Sequence, residues 1–205
     1  MGMHSSLRST SLSTFSPRLA VFVGAMILLM AGFRVLRAIW LPELPNFSPI
    51  AAVAFCGGLF LPGLVAWVLP LGALIVSDIF LSLALGFSPF SVSQLVVWGS
   101  IAGVVGIGRW VSAWSDVSAL KFFSALVVGG VGFYVVTNTG AWLMNPAYPR
   151  GLDGLWMSLT TGLPGFPPSW VFFRNSLVSD LMFGSLLLAV RAYAQQQDLR
   201  HAEVA

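Results

Sequence analysis

The segment PIAAVAFCGGLFL, from Pro49 to Leu61, is apolar throughout and carries no charge. It is short for a membrane span, because a helix needs about 20 apolar residues to cross a bilayer. It therefore either spans with help from its flanking residues or packs inside a helical bundle as a half-membrane segment. The first arrangement predicts six spans for the whole chain, and the second predicts five.

The chain around this segment has the composition of an integral membrane protein. Of its 205 residues, 57% are hydrophobic and only 8% are charged, whereas about a quarter of the residues of a soluble domain are charged. We predict an all-α domain of about six transmembrane helices over residues 19–193, with polar tails at 1–18 and 194–205. The apolar segments are 19–40, 49–61, 64–86, 91–112, 119–144 and 168–192.

The basic residues predict the topology. A cytoplasmic N-terminus and C-terminus would place six of the ten basic residues on the cytoplasmic side, as the positive-inside rule favours. The connection 145–168 then lies outside, and its length is typical of a lid or ligand loop. The net charge of +3 comes without a run of Lys or Arg, so no nucleic-acid partner is expected. The six cytoplasmic residues are Arg8, Arg18, Arg109, Lys121, Arg191 and Arg200.

Several classes of function are excluded by missing residue types. The single Cys56 and two histidines, His4 and His201, both in the tails, rule out a metal site of cysteines and histidines. The GVVGIG run that ends at Gly108 lacks the spacing of a dinucleotide fingerprint, and no Walker A motif or nucleophile elbow occurs. We therefore predict no enzyme, no cofactor and no metal.

Two aspartates lie inside apolar segments in nearly the same local sequence, VSDIF at 76–80 and VSDLM at 178–182. A carboxylate inside a bilayer needs a partner or becomes protonated. By their positions along the segments, Asp78 lies in the outer half of the bilayer and Asp180 lies near its midplane. We predict an intramembrane charge network formed by Arg34, Asp78, Arg174 and Asp180.

Other polar residues gather on the same side of the predicted bundle. Asn138, Trp142 and Asn145 recur at spacings of four and three, so they share one helix face. The charge network either locks helices together or lines a ligand pocket, and both can hold. The tryptophans, among them Trp98, are otherwise interpreted as interfacial aromatics. The gathered residues are Asn46, Ser88, Gln94, Thr137, Asn138, Trp142, Asn145, Tyr148 and Arg150.

Small residues four apart, Ala20 with Gly24 and Gly99 with Gly103, allow close helix approach. They indicate either internal packing or the docking of a separate membrane partner.

Four stretches carry a resemblance to a known family. They are PNFSPIAAVAFCGG (45–58), LPLGALIVSD (69–78), NTGAWL followed by YPRGLDGL (138–155), and FFRNSLVSDLMFG (172–184). Together they resemble an uncharacterised family of bacterial membrane proteins described as candidate transport proteins. That family is similar in turn to the substrate-binding S components of energy-coupling factor (ECF) vitamin transporters. The resemblance covers most of the chain beyond the N-terminal tail.

The resemblance implies a substrate-binding component for micronutrient uptake, in a bacterial inner (plasma) membrane. S components have six helices and bind a vitamin near the outer face, beneath loops. They dock through small residues of the first helix onto a transmembrane coupling subunit that two ATPases drive, which would make Ala20 and Gly24 the docking surface here. An arginine in the pocket would favour a carboxylate or phosphate on the ligand. The implied pocket or lid residues, with Asn138 from the shared face, are Asn46, Asn138, Trp142, Asn145, Tyr148, Arg150, Arg174 and Asn175.

Three alternatives stay open. A proton-coupled solitary transporter would change the protonation of Asp78 or Asp180 as its substrate moves. An intramembrane enzyme would let the two carboxylates share a proton. A structural membrane protein would bind no small ligand.

Overall fold

All regular structure is helical in the computed structural model, over the residues that it describes, 17–33, 36 and 44–204. A π-helical turn, Leu28–Gly32, continues the first helix. The helices in these ranges are α1 (Pro17–Ile27), α2 (Ile50–Phe60), α3 (Val65–Ala84), α4 (Val92–Ser112), α5 (Ala119–Met144), α6 (Leu152–Leu159) and α7 (Ser169–Val204).

Four helices are long and apolar enough to cross a membrane: α3, α4, α5 and the Ser169–Tyr193 part of α7. The all-helical prediction is confirmed, and these four helices support an integral membrane protein. Six spans and the orientation of the termini stay predictions, since the other apolar helices, Val21–Met30 and Ile50–Phe60, are shorter. The tail predicted at 194–205 is helical as far as Val204.

Helix α2 lies at the centre of the bundle. Every residue from Ala51 to Leu59 is buried, and the helix packs against α3, α4, α5 and α7. Its 11 residues measure about 16 Å at 1.5 Å per residue, roughly half of the 30 Å hydrocarbon core of a bilayer. Of the two arrangements predicted for this segment, the burial favours the half-membrane helix packed inside the bundle.

Two glycines let α2 and α4 meet through their backbones. A Cβ atom on Gly58 would lie 2.2 Å from the carbonyl oxygen of Val105. A Cβ atom on Gly108 would lie 2.3 Å from the carbonyl oxygen of Phe55. Neither position has room for any side chain, so the two helices approach as closely as backbones allow.

The neighbouring glycine of α2 serves a different contact. A Cβ atom on Gly57 would lie 3.1 Å from the Pro70 ring of α3 and 3.2 Å from the Met26 side chain of α1. Pro70 lies inside α3, where proline cannot complete the helical hydrogen-bond ladder. The Gly57–Gly58 pair therefore packs α2 against helices in different directions.

The connections between the long helices alternate between two ends of the bundle. We call one the loop end, which carries residues 44–48, 85–91 and 145–168. We call the other the basic end, which carries residues 61–64 and 113–118 together with Arg109, Lys121 and Arg191.

Replacing Gly108 with alanine is expected to destabilise the protein, because the new methyl group would overlap the Phe55 carbonyl. Overpacking of this kind typically costs about 1–3 kcal/mol. The matched control in the same helix is Gly103→Ala, where a Cβ atom would meet nothing within 4 Å. Thermal unfolding in detergent should show a lower midpoint for Gly108→Ala alone. Equal midpoints for the two variants would contradict the backbone contact.

Candidate functional site

Two adjoining cavities lie toward the loop end. We call the first, which Asp78 and Asp180 line, the acidic cavity; its volume is about 310 Å³. We call the second, which Asn138, Asn145 and Tyr148 line, the loop cavity; its volume is about 380 Å³. Asn46 and Thr137 line both, so the two spaces meet at these residues. The polar lining of the acidic cavity is Asn46, Ser48, Asp78, Gln94, Thr137, Ser176 and Asp180.

Both aspartates of the predicted charge network line the acidic cavity. Asp78 comes from α3 and is 6% exposed, and Asp180 comes from α7 and is 2% exposed. Ile50 and Ala51, at the start of α2, also line this space. The cavity thus lies at the N-terminal end of the short central helix, where longer neighbouring helices continue past it.

Asp78 is held by two donors from α4. Its Oδ2 accepts hydrogen bonds from Gln94 Nε2 at 2.6 Å and from Trp98 Nε1 at 2.7 Å. The donors are four residues apart and therefore lie on one helix face. Ser91 caps the start of α4 by accepting the backbone N–H of Gln94 at 3.1 Å, which positions the first donor. Asp78 thereby joins α3 to α4 as well as lining the cavity.

Asp180 faces the N-terminus of α2. Its carboxylate lies beside the backbone of Ala52, in the first turn, where backbone N–H groups have no acceptor within the helix. Helix N-termini attract negative charge. Gly130 of α5 leaves room on another side, because a Cβ atom there would lie 3.3 Å from Asp180 Oδ2. Asp180 forms no ion pair with the described residues, among which Lys121 pairs with Asp116.

Polar residues of α7 clamp the backbone of residues 45–48. Asn175 Nδ2 donates to the carbonyl oxygen of Pro45 at 3.0 Å. Ser179 Oγ accepts the Ser48 N–H at 3.2 Å, and its single proton has two acceptors within reach, the carbonyl oxygens of Ser176 at 2.8 Å and of Ser48 at 3.0 Å. These bonds fasten the connection that precedes α2 to the last membrane-spanning helix.

Asn46 occupies the middle of this clamped turn. Its φ of 58° lies in the left-handed region, which asparagine adopts more readily than most residues. Ser176 Oγ donates to its carbonyl oxygen at 3.3 Å. The turn brings Asn46 to the wall that the two cavities share.

The loop cavity lies between α5, the start of α7 and the connection between them. Four of the eight predicted substrate-binding residues line it, namely Asn46, Asn138, Asn145 and Tyr148. Burial raises the pKa of Tyr148, so its phenol stays protonated and can donate a hydrogen bond at neutral pH. Phe166 and Phe172 add aromatic surface to the same wall.

Trp142 and Arg150, also predicted to bind substrate, hold the turn after α5. Trp142 Nε1 donates to the carbonyl oxygen of Pro149 at 2.9 Å, and Arg150 Nη1 donates to that of Leu143 at 2.9 Å. The arginine thus donates to a carbonyl oxygen at the C-terminal end of α5, where carbonyl groups have no N–H partner within the helix. Neither side chain lines either cavity.

Arg174 also points away from the two cavities. Its Nη2 donates to Asn175 Oδ1 at 3.1 Å, and its guanidinium carbon lies 5.4 Å from the centroid of the Trp170 ring. Within the described ranges it forms no ion pair with Asp78 or Asp180. Asn175, which binds Pro45, lines neither cavity either.

The remaining predicted positions are only partly described. Arg34, the other cation of the predicted network, lies outside the described residues, as does most of the tail at 1–18. Ala20 belongs to α1, and its side chain also lies outside the description. Gly24, on the same helix, is exposed, and a Cβ atom there would meet nothing within 4 Å.

Sequence reasoning missed Trp98 as a partner of Asp78. Its position in the sequence predicts an interfacial aromatic, yet its indole N–H donates to the Asp78 carboxylate. The spacing of four between Gln94 and Trp98 was the available signal, because it places two donors on one face of the helix that follows Asp78.

The sequence matches the family described as "Family of unknown function (DUF6580)" over residues 13–202. The chain belongs to this family. No curated protein and no solved structure matches the chain. Membership in DUF6580 agrees with the expectation of an uncharacterised family.

In this DUF6580 protein, Ser179→Ala is expected to loosen the clamp on residues 45–48. The substitution leaves the Ser48 N–H without its acceptor, and a buried polar group left unpaired costs about 1–3 kcal/mol. Ser185→Ala is the matched control, because the exposed Ser185 donates only within α7, to Leu181. Hydrogen–deuterium exchange should accelerate at residues 45–48 in Ser179→Ala. Unchanged exchange there would show that the clamp carries no stability.

Proposed function

We propose that this protein is the substrate-binding component of an uptake system for a small micronutrient. The micronutrient binds in the acidic and loop cavities, without covalent chemistry. The observation that carries the proposal is the pair of adjoining, partly polar cavities inside an apolar bundle, joined at Asn46 and Thr137. Polar groups in such a bundle are costly unless they are bonded or used.

The size of the cavities suits a vitamin-sized molecule. Each volume, about 310 and 380 Å³, falls at the lower end of the roughly 300–1,000 Å³ of small-molecule pockets. Phe133 in the acidic cavity and Tyr148, Phe166 and Phe172 in the loop cavity offer faces for a ring. A ligand with a ring and a polar substituent could occupy both spaces.

The polar groups favour a ligand that donates hydrogen bonds. The described lining of the acidic cavity offers carboxylate, amide and hydroxyl groups, and none of these lining residues is Lys or Arg. This differs from the expectation based on Arg174, which favoured a carboxylate or phosphate. A ligand with N–H or O–H groups facing Asp180 matches the groups that are present.

The connection between α5 and α7 forms the cover of the loop cavity. The Tyr134 hydroxyl donates to the carbonyl oxygen of Leu159, which ties α6 to the bundle. Trp142 and Arg150 hold the turn before α6, so we assign them to the cover rather than to ligand contact. The proposal adopts the arrangement that the sequence resemblance implies, in which S components bind vitamins beneath loops. A coupling subunit with ATPases that docks at Ala20 and Gly24, in a bacterial inner membrane, completes the proposal.

A proton-coupled solitary carrier is the second candidate. It is favoured by Asp180, which is 2% exposed, lines the cavity and has no ion-pair partner among the described residues. A carboxylate in that setting can change protonation as a substrate enters or leaves. Substrate uptake by the purified protein in liposomes under a pH gradient alone would favour the carrier. No uptake without a coupling subunit would favour the binding component.

Filling the junction of the cavities is expected to abolish ligand retention. Thr137→Phe adds a ring where the two spaces meet, whereas Thr139→Phe adds the same ring to the same helix at a position that lines neither. Native mass spectrometry of protein purified in mild detergent should show a bound small molecule in the wild type and in Thr139→Phe. Thr137→Phe should have lost it.

The control for folding is the thermal midpoint of each variant. A bound molecule retained equally by a folded Thr137→Phe variant would contradict the location of the site. A wild-type protein that binds no small molecule after incubation with a metabolite extract would contradict the function itself.

A further inference from the structure

Another cavity, of about 280 Å³, lies at the basic end between α2, α5 and α7, away from the proposed substrate site. Its wall is apolar except for one side chain, Arg191. The principal apolar lining residues are Phe60, Val117, Phe122 and Leu188. A single cation in an apolar wall is the pattern expected for an amphiphilic ligand with a negative head.

Arg191 lacks a hydrogen-bond acceptor in the described part of the chain. Its Nε is buried and unpartnered. Its guanidinium carbon lies 5.8 Å from the centroid of the Phe60 ring, and such a contact attracts the charge but satisfies none of its N–H donors. An arginine near the apolar interior in this state is expected to have an anionic partner, which the described part of the chain does not supply.

The other described cations of the basic end are already bonded. Arg109 Nη1 donates to the carbonyl oxygen of Leu61 at 3.1 Å. Lys121 pairs with Asp116 at 3.2 Å, so the Asp116 carboxylate is also occupied. Arg191 is therefore the cation with donors to spare at this end, within the described residues.

The position of Arg191 indicates what the anion is. It lies where the apolar sequence of α7 gives way to the polar run Gln195–Asp198, close to the level where the hydrocarbon of a bilayer gives way to headgroups. Lipid phosphates lie at that level, and their acyl chains descend from it. Phe122 and Leu188 line the cavity beside the arginine and could contact the upper part of a chain.

We propose that this cavity binds an anionic phospholipid, whose phosphate is held by Arg191 and whose first acyl methylenes pack against Phe122 and Leu188. The planar guanidinium can donate two parallel hydrogen bonds to phosphate oxygens. Basic pockets between transmembrane helices bind headgroups of anionic lipids in the same way.

The test uses the full-length protein, delipidated in detergent and titrated with phosphatidylglycerol, with binding followed by native mass spectrometry. Arg191→Gln should weaken binding at least tenfold. Lys121→Gln removes the same charge from the same end and should change binding less than twofold. Arg191→Lys should bind with intermediate affinity, because it keeps the charge and loses the planar fork.

A second variant separates loss of the site from loss of the fold. Ala192→Phe fills the cavity while it keeps Arg191, and it should also weaken phosphatidylglycerol binding. Wild-type affinity in folded Arg191→Gln, or in Ala192→Phe, would overturn the proposal. So would displacement of the lipid by inorganic phosphate at equal concentration, which would show a site for free phosphate, or equal affinity for phosphatidylcholine, which would show no preference for an anionic headgroup.

Discussion

The backbone contact between α2 and α4 is the constraint on which the rest of the structure depends. Gly58 and Gly108 let the two helices approach until carbonyl oxygens occupy the places where Cβ atoms would lie. A helix only 11 residues long can thereby be buried at the centre of a bundle. Its side chains are apolar, so burying them leaves no charged group without water. Because α2 is shorter than its neighbours, space is left at its N-terminal end, and the acidic cavity lies there.

The same constraint explains why two carboxylates are tolerated. Asp180 lies beside the backbone of Ala52 at the start of α2, and the Asp78 carboxylate accepts hydrogen bonds from two donors of α4. Each acid therefore has a structural partner and still lines the cavity. The two interpretations of the sequence, a brace between helices and a polar pocket, are compatible in this geometry. The clamp of Asn175 and Ser179 on residues 45–48 completes the wall without adding charge.

Much of the helical architecture could be predicted from the sequence, because long apolar runs bounded by Pro and Gly have few alternatives in a bilayer. The predicted segment 119–144 coincides with α5, and 91–112 and 64–86 differ from α4 and α3 by one or two residues. The short helix α6, Leu152–Leu159, was not predicted, since it lies inside a connection that was interpreted as loop throughout.

The candidate site was less predictable. Asn138 and Asn145 line a cavity whereas Trp142, on the same helix face, binds a backbone carbonyl, and only the path of the following turn decides this. The contact of Gly58 with α4 could not be predicted either. The chain has 21 glycines, and several of them, such as Gly72 and Gly99, would meet nothing if they carried a Cβ atom.

The most direct measurement of the central claim is a cryo-electron microscopy map of the protein, purified from its membrane without added ligand. Non-protein density is expected in the acidic cavity, within hydrogen-bonding distance of Asp180 or Thr137. A cavity closed by the side chains of Leu74 and Phe133, or filled by a lipid or detergent chain, would contradict a substrate site at the end of α2.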